Sequence, residues 1–295
     1  MQQLDIFADS EPIQRANDLI AALAALDRTA SQQAMRDLVT ADPNHEGLHK
    51  FQVLCDFIDY WIDSPNRSEC SDITATIVEE ERLIREQIIP AATVMGSAGD
   101  TLIRKCWGAL AKLSEKAGID PKQPLCFAAE LYLRAHQFHD VVRTAKVIPG
   151  ADMRAVVRRW LGLGYAGCGE TENARSAALR FAWLSPQEFD VFLDEMRDKE
   201  LARDWSNCQS DLDDLDATWF PAWCANEKVA GIPVLDNLPA NEGSSAYRLV
   251  VSLDLRERSG ICRIVFEERA RLKQLNESFF VFYMKRRADP HPRIN

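Results

Sequence analysis

Apolar residues recur along this chain at helical spacing almost everywhere, and two-residue alternation is nearly absent. No other feature restricts its fold so strongly. Ile20, Leu23, Ala24 and Leu26 form one stripe, Phe51, Leu54, Cys55, Ile58, Trp61 and Ile62 a second, and Leu102, Ile103, Cys106, Trp107, Leu110 and Leu113 a third. The interruptions are brief and turn-like: Ala41-Asp42-Pro43-Asn44, Ser64-Pro65-Asn66, Gly118-Ile119-Asp120-Pro121 and Ile148-Pro149-Gly150. Amphipathic helices joined by such short turns must lay their apolar faces on one another. The pattern therefore predicts an all-α fold built as an array of antiparallel helix pairs. With 46% of its 295 residues apolar and 27% charged, the chain can bury a sizeable core.

The formal net charge of −10 argues against direct, sequence-independent nucleic-acid binding, which needs a basic face to displace counterions. No apolar run reaches the ~18 residues of a membrane-spanning helix, so no membrane partner is expected. The N-terminus lacks the basic, apolar and small-residue order of a signal peptide, which makes the cytoplasm the expected location. The eight cysteines (Cys55, Cys70, Cys106, Cys126, Cys168, Cys208, Cys224 and Cys262) are scattered and form no CxxC pair. They read as small core hydrophobes rather than a disulfide frame or a zinc site.

A repeat lies within the helical pattern. Setting Leu131–Ala145 beside Gly164–Ala178, at an offset of 33 residues, puts Tyr132 on Tyr165, Phe138 on Thr171, Val141 on Ala174 and Ala145 on Ala178. The second copy, with Trp160, Gly162, Tyr165, Gly169-Glu170, Ala174 and Pro186, resembles a tetratricopeptide repeat. That resemblance implies helix pairs stacked into a superhelix, irregular here because the pattern fades outside these copies and a looser one at Ala30–Asn44. In the second copy, Gly162 and Ala174 let two helices approach, Tyr165 fills between them and Gly169 makes the turn. Pro186 starts the next helix, with Ser185 as N-cap and Glu188 completing a capping box.

The organisation that follows is an N-terminal peptide segment (1–11), a tetratricopeptide-like helical domain (12–230) and a C-terminal helical extension (246–288) packed on the same body. Gly231–Ser245, rich in Pro, Asn, Gly and Ser, is the candidate linker. Beyond it, Ala246–Arg258, Ile261–Leu275 and Glu277–Arg287 read as helices, with Asn276 capping the last and Lys285-Arg286-Arg287 suiting its C-terminal dipole. The aromatics of Thr218–Trp223 read as a helix end locked into the core.

Charge is unevenly spread. Leu131–Trp160 carries six cations, Arg134, Arg143, Lys146, Arg154, Arg158 and Arg159, against Asp140 and Asp152. Gln187–Asp216 carries eleven acids against Arg197, Lys199 and Arg203. Two readings stand: solvated helix faces, or a basic groove for an acidic peptide on the concave side of a helical array. The acidic block can also cover the basic one within the molecule.

One motif is enzyme-like. His45-Glu46-Gly47-Leu48-His49 fits HExxH, in which two histidines one helical turn apart hold zinc and the glutamate acts as base, the alternative here being a zinc hydrolase. Pro43 and Asn44 put His45 at the very start of a helix, and Gly47 weakens the turn that must align the rings. The expectation is an exposed helix start with no metal. No phosphate loop, nucleophile elbow or dinucleotide fingerprint is present, so no cofactor is expected. Asp211–Asp216 (DLDDLD) lacks the glycine and distal glutamate of a calcium loop and reads as a solvated helix start.

The N-terminal Gln3-Leu4-Asp5-Ile6-Phe7 resembles the pentapeptide by which bacterial replication and repair proteins dock on the DNA sliding clamp, with Ile6 in place of the usual leucine. The resemblance implies that Gln3 orients an extended peptide, Leu4 fills a small pocket, Ile6 and Phe7 anchor in an apolar cleft, and Asp5 faces outward. The competing reading is structural, with Leu4, Ile6 and Phe7 stapled onto a first helix whose start is marked by Asp9, Ser10 and Pro12. The opening QQLDIFADS is also similar to that of a bacterial family of helical-repeat proteins without an assigned activity. The expectation is a non-enzymatic interaction adaptor, with a plain helical scaffold as the alternative.

Overall fold

The computed structural model describes residues 10–63, 73–118, 127–229, 235–258 and 262–288. Among them every regular element is a helix, as the periodicity requires, and no helix is long and apolar enough to cross a membrane. Gln3–Phe7 and the breaks at Ser64-Pro65-Asn66 and Ile119-Asp120-Pro121 lie outside the described residues. The chain forms two compact units, Met1–Asp140 and Val141–Asn295.

The first unit contains α1 (Glu11–Ala25), α2 (Arg28–Ala41), α3 (Leu48–Asp63), α4 (Ile73–Leu83), α5 (Ile89–Ala92), α6 (Ser97–Ala117) and α7 (Ala128–Arg134). The unit boundary falls inside α8 (Phe138–Lys146). Helix α6 packs against α1, α4, α5 and α7, burying Leu102, Cys106, Trp107 and Leu110. Helix α3 buries Phe51, Leu54, Cys55, Phe57 and Ile58. The stripe read in α1 is displaced by one residue. Leu19, Ala22 and Leu23 face the core, while Ile20, Ala24 and Leu26 are half-buried, because Leu26 has already left the helix in the left-handed region (φ 61°).

Helices α4 and α5 are joined by a π-turn, Ile84–Ile88, in which the Ile89 N–H bonds to the Ile84 carbonyl. Pro90 follows one residue later, after Ile89. It has no N–H to give the preceding turn, and its ring would press on the carbonyl of residue i−4 in an α-helix, so the widened turn relieves both problems.

The 33-residue offset is visible in the backbone. At the end of α7 the His136 N–H bonds to the Leu133 carbonyl at 3.0 Å and the Gln137 N–H to the Tyr132 carbonyl at 2.9 Å. At the end of α9 (Ala155–Gly167), Gly169 bonds to Ala166 at 3.0 Å and Glu170 to Tyr165 at 2.9 Å. The α1–α2 turn repeats the pattern, with Leu26 to Leu23 at 3.0 Å and Asp27 to Ala22 at 3.0 Å. Each is a Schellman-type stop whose central residue is left-handed: Leu26 at 61°, His136 at 57° and Gly169 at 78°. Only the last is glycine, the residue that enters this region without steric cost. Because the His136 side chain is exposed, His136→Gly is expected to raise the unfolding free energy by up to about 1 kcal/mol, and Gly169→Ala to lower it by a similar amount, both read from denaturant midpoints.

The second unit holds the rest of α8, α9, α10 (Thr171–Leu184), α11 (Phe189–Met196), α12 (Lys199–Asp211), α13 (Phe220–Glu227), α14 (Glu242–Arg258), α15 (Cys262–Leu275) and α16 (Glu277–Ala288). Helices α9 and α10 form its tightest hairpin. Gly162 leaves room there for the Phe192 ring of α11, since a Cβ would lie 2.6 Å from its ζ carbon. Tyr165 is only half-buried, so it does not fill the space between helices. Trp160, at 1% exposure, occupies the interior instead.

Pro186 starts a 3-10 turn, Pro186–Glu188, rather than the helix itself. Ser185 and Glu188 bond to each other through their side chains at 2.7 Å, and Ser185 caps no backbone N–H with its hydroxyl. Phe189, Trp205 and Phe220 meet at centroid distances of 5.3–5.6 Å, and Trp219 meets Phe279 of α16 in a tilted contact at 5.2 Å, so Thr218–Trp223 is core as read. The described part of the supposed linker is docked. The Leu235 N–H donates to the Tyr247 hydroxyl at 2.9 Å, and Asn241 Nδ2 donates to the Trp183 carbonyl at 3.1 Å. The DLDDLD run is a helix end: Asp211 closes α12, while Asp216 caps the following 3-10 turn by accepting from the Thr218 N–H at 3.0 Å. Asn276 caps α16 by accepting from the Phe279 N–H at 2.8 Å.

Candidate partner-binding surface

The enzyme-like motif does not assemble. Helix α3 begins at Leu48, so His45 and Glu46 precede it and the two histidines do not share a helical turn. The His45 Nδ1 accepts from the Gly47 N–H at 3.0 Å, and Gly47 is wedged against Val94, where a Cβ would lie 2.6 Å from a Val94 methyl. Among the described residues no group of three or more His, Cys, Asp or Glu side chains could hold a metal ion. Cys55, Cys106, Cys208 and Cys224 are buried and form no disulfide, and burial pushes the Cys55 thiol up to about 11, which keeps it protonated.

The six cations do not form one groove. Arg134 belongs to the first unit. It donates to Glu81 at 2.9 Å and to Glu130 at 3.3 Å, with its guanidinium 4.9 Å from the Trp107 ring centre. Glu81 is itself only 6% exposed, so this is an internal ion pair. In the second unit, Arg159 forks onto Glu195 at 2.9 Å, the acidic block covering the basic one at that point. The Lys146 ammonium lies 5.2 Å from the Tyr165 ring centre. Arg158 is buried and bonds to Asp152.

Arg143, Lys146 and Arg154 are exposed at the α8–α9 corner. The turn that carries them is closed by short backbone bonds, among them the Met153 N–H to the Gly150 carbonyl at 3.0 Å. It also exposes Val147 (74%), Met153 (53%) and Val156 (40%). Cations interleaved with bare apolar side chains make a surface suited to an acidic, partly apolar protein segment. The cations stand out in the sequence, whereas the apolar residues between them do not, because helical periodicity alone assigns them to neither face.

Two further arginines were not singled out from sequence. Arg175 on α10 forks onto Asp198 at 2.7 and 3.1 Å and reaches Glu200 at 2.7 Å, beside a shallow cleft of about 380 Å³ lined by Thr171, Met196 and Lys199. Arg180 donates to the Asp236 carbonyl at 2.7 Å and to its carboxylate at 2.6 Å. Asp236 lines a second cleft of about 330 Å³ with Leu235, Leu238, Tyr247, Arg248 and Val251. In comparisons with protein-family models, curated proteins and solved structures, nothing matches this chain.

Proposed function

We propose that this chain is a non-enzymatic adaptor, acting in the cytoplasm, that docks on the DNA sliding clamp through Gln3–Phe7 and offers its helical body to a second protein. The observation that carries the clamp half is the sequence Gln3-Leu4-Asp5-Ile6-Phe7 itself, with an amide, two aliphatic residues and an aromatic in the order a clamp cleft takes. The body half is supported by the helix hairpins closed by the same turn at a 33-residue offset, a tetratricopeptide-like trait, and by the cationic-apolar corner at Arg143, Lys146 and Arg154.

Burying each of Ile6 and Phe7 contributes about 1.5–3 kcal/mol, and ordering the peptide offsets part of it. With Leu4 and the Gln3 contacts added, the expected dissociation constant is modest, on the order of tens of micromolar or weaker. Calorimetry of the purified chain with the bacterial sliding clamp tests this. The Leu4→Ala/Phe7→Ala variant, still folded, should bind at least about 100-fold more weakly. Absence of binding by the intact chain retires the clamp reading and leaves a helical scaffold with an unidentified partner.

A further inference from the structure

Arg158 on α9 and Arg180 on α10 stand eleven residues before and after Gly169, which places them opposite each other across the hairpin. Each is only 8% exposed, yet the carboxylates they hold lie at the surface: the Asp236 side chain is 83% exposed and that of Asp152 53%. Burial, and next the charge of Arg180, pull the Arg158 guanidinium down to about 10.

An ion pair this lopsided is suited to exchange. The aspartate can return to water at little cost because it has barely left it, whereas the recessed guanidiniums cannot follow and still require an anion. Carboxylate for carboxylate is then nearly balanced, and contacts beside the pair decide the outcome. Those contacts exist: the cleft next to Asp236 has apolar walls in Leu235, Leu238 and Val251, and the exposed cation Arg248 on its rim.

We propose that Arg180, with Arg158 across the hairpin from it, forms an exchangeable carboxylate seat, occupied here by the chain's own Asp236 on Arg180, that takes an acidic side chain of a partner peptide while the neighbouring apolar side chain enters the cleft beside Arg248. Asp236 acts as a built-in competitor, so only peptides that also use the cleft and Arg248 displace it. This rests on the adaptor reading and supplies the chemistry of its second partner.

The test uses the full chain and a short fluorescein-labelled peptide of alternating glutamate and leucine, followed by fluorescence anisotropy. Saturable binding that weakens with salt is expected, about tenfold tighter in Asp236→Asn and about tenfold weaker in both Arg180→Gln and Arg248→Gln. Arg248 is exposed, so its variant tests the seat even if Arg180→Gln does not fold. No binding by the intact chain or by Asp236→Asn overturns the seat, as does equal affinity across the variants. Inorganic phosphate binding more tightly than the peptide also overturns it, in favour of a small-anion site. Clamp binding through Gln3–Phe7 without peptide binding loses the seat and keeps the adaptor; peptide binding without clamp binding does the reverse.

Discussion

Replacing Gly243 by alanine is expected to destabilise the second unit by about 3 kcal/mol, at the upper end of what overpacking costs. In isolation the change favours a helix by close to 1 kcal/mol, so the sign of the result is itself informative. Gly243 lies in the first turn of α14 and is buried against the 3-10 turn Ala217–Trp219. A Cβ there would sit 2.0 Å from the Thr218 carbonyl oxygen and 2.5 Å from its carbon. Both are main-chain atoms, which no rotamer change can move aside.

Nor can α14 readily back away. Its start is pinned by Asn241, which accepts from the Ser244 N–H at 2.8 Å and holds the Trp183 carbonyl, and by the Ser244 hydroxyl, which donates to the Pro239 carbonyl. The neighbouring Trp219 carries the ring contact to Phe279, so displacement at Thr218 reaches α16. Glu242→Ala, one residue earlier and exposed, is the matched control and should be close to neutral. Equal unfolding midpoints for Gly243→Ala and Glu242→Ala would show that α14 does not dock at this distance.

Arg175→Ala is expected to cost about 3 kcal/mol at pH 7, or ~8 °C in the second unit's melting temperature. The side chains of Arg175 and Asp198 are 9% and 14% exposed, and removing the guanidinium leaves an ionised carboxylate largely out of water. The loss should depend on pH in a defined direction. Burial raises the Asp198 pKa, but the hydrogen bonds from Arg175 and from the backbone at Leu201 and Glu200 outweigh it, and the net shift is downward. A depressed carboxylate contributes stability that is fully present above the unfolded-state value near 3.9 and is lost as pH falls through the folded value. The gap between intact chain and variant should therefore be widest at neutral pH and close below about pH 4.

Asp204, in the same cluster, has the opposite sign. Burial raises its pKa against the pull of Arg203 and Arg175, so its contribution is fully present below the unfolded value and is lost as pH rises. Asp204→Asn should accordingly stabilise the chain at pH 7 and have no effect below about pH 4. Denaturant unfolding at about pH 3 and about pH 7, spanning the carboxylate range, separates the two aspartates; the same gap at both values would contradict the assignment.

The helices were legible wherever apolar spacing was regular and a terminal signal accompanied it. The last three helices, the Asn276 cap and the aromatic lock at Thr218–Trp223 all follow from local sequence, because caps and periodicity act within one or two turns. The turn at Gly169 was legible for the same reason, while its equivalents at Leu26 and His136 carry no glycine to announce them.

The candidate surface was far less legible. Arg134, Arg158 and Arg159 look like any other helix cation in sequence, yet they are bonded to Glu81, Asp152 and Glu195. Two of those partners lie 53 and 36 residues away, and no local pattern encodes such a pairing. Nothing in the sequence marks Arg175 and Arg180, because a cation inside a helical run reads as a solvent-facing residue. Only the symmetry of the hairpin about Gly169 could have paired Arg180 with Arg158. In the α1 stripe, a residue already past the helix end was counted as part of it.

The π-turn at Ile84–Ile88 bears on how this chain tolerates changes of length. A turn of this kind holds one residue more than an α-helix spans, and it does so without rotating the helix on either side. The solvent-facing Arg85, Glu86 and Gln87 are therefore, in effect, a place where a codon has been absorbed. A chain lacking one of the three, with Pro90 exchanged for alanine so that the closed ladder regains its donor, would run as uninterrupted α-helix through the site. Ile84 on one side and Ile88, Ala91 and Met95 on the other would keep the faces they present now. Single-residue indels, ruinous in most helix interiors, have at this point of the sequence a structure ready to receive them.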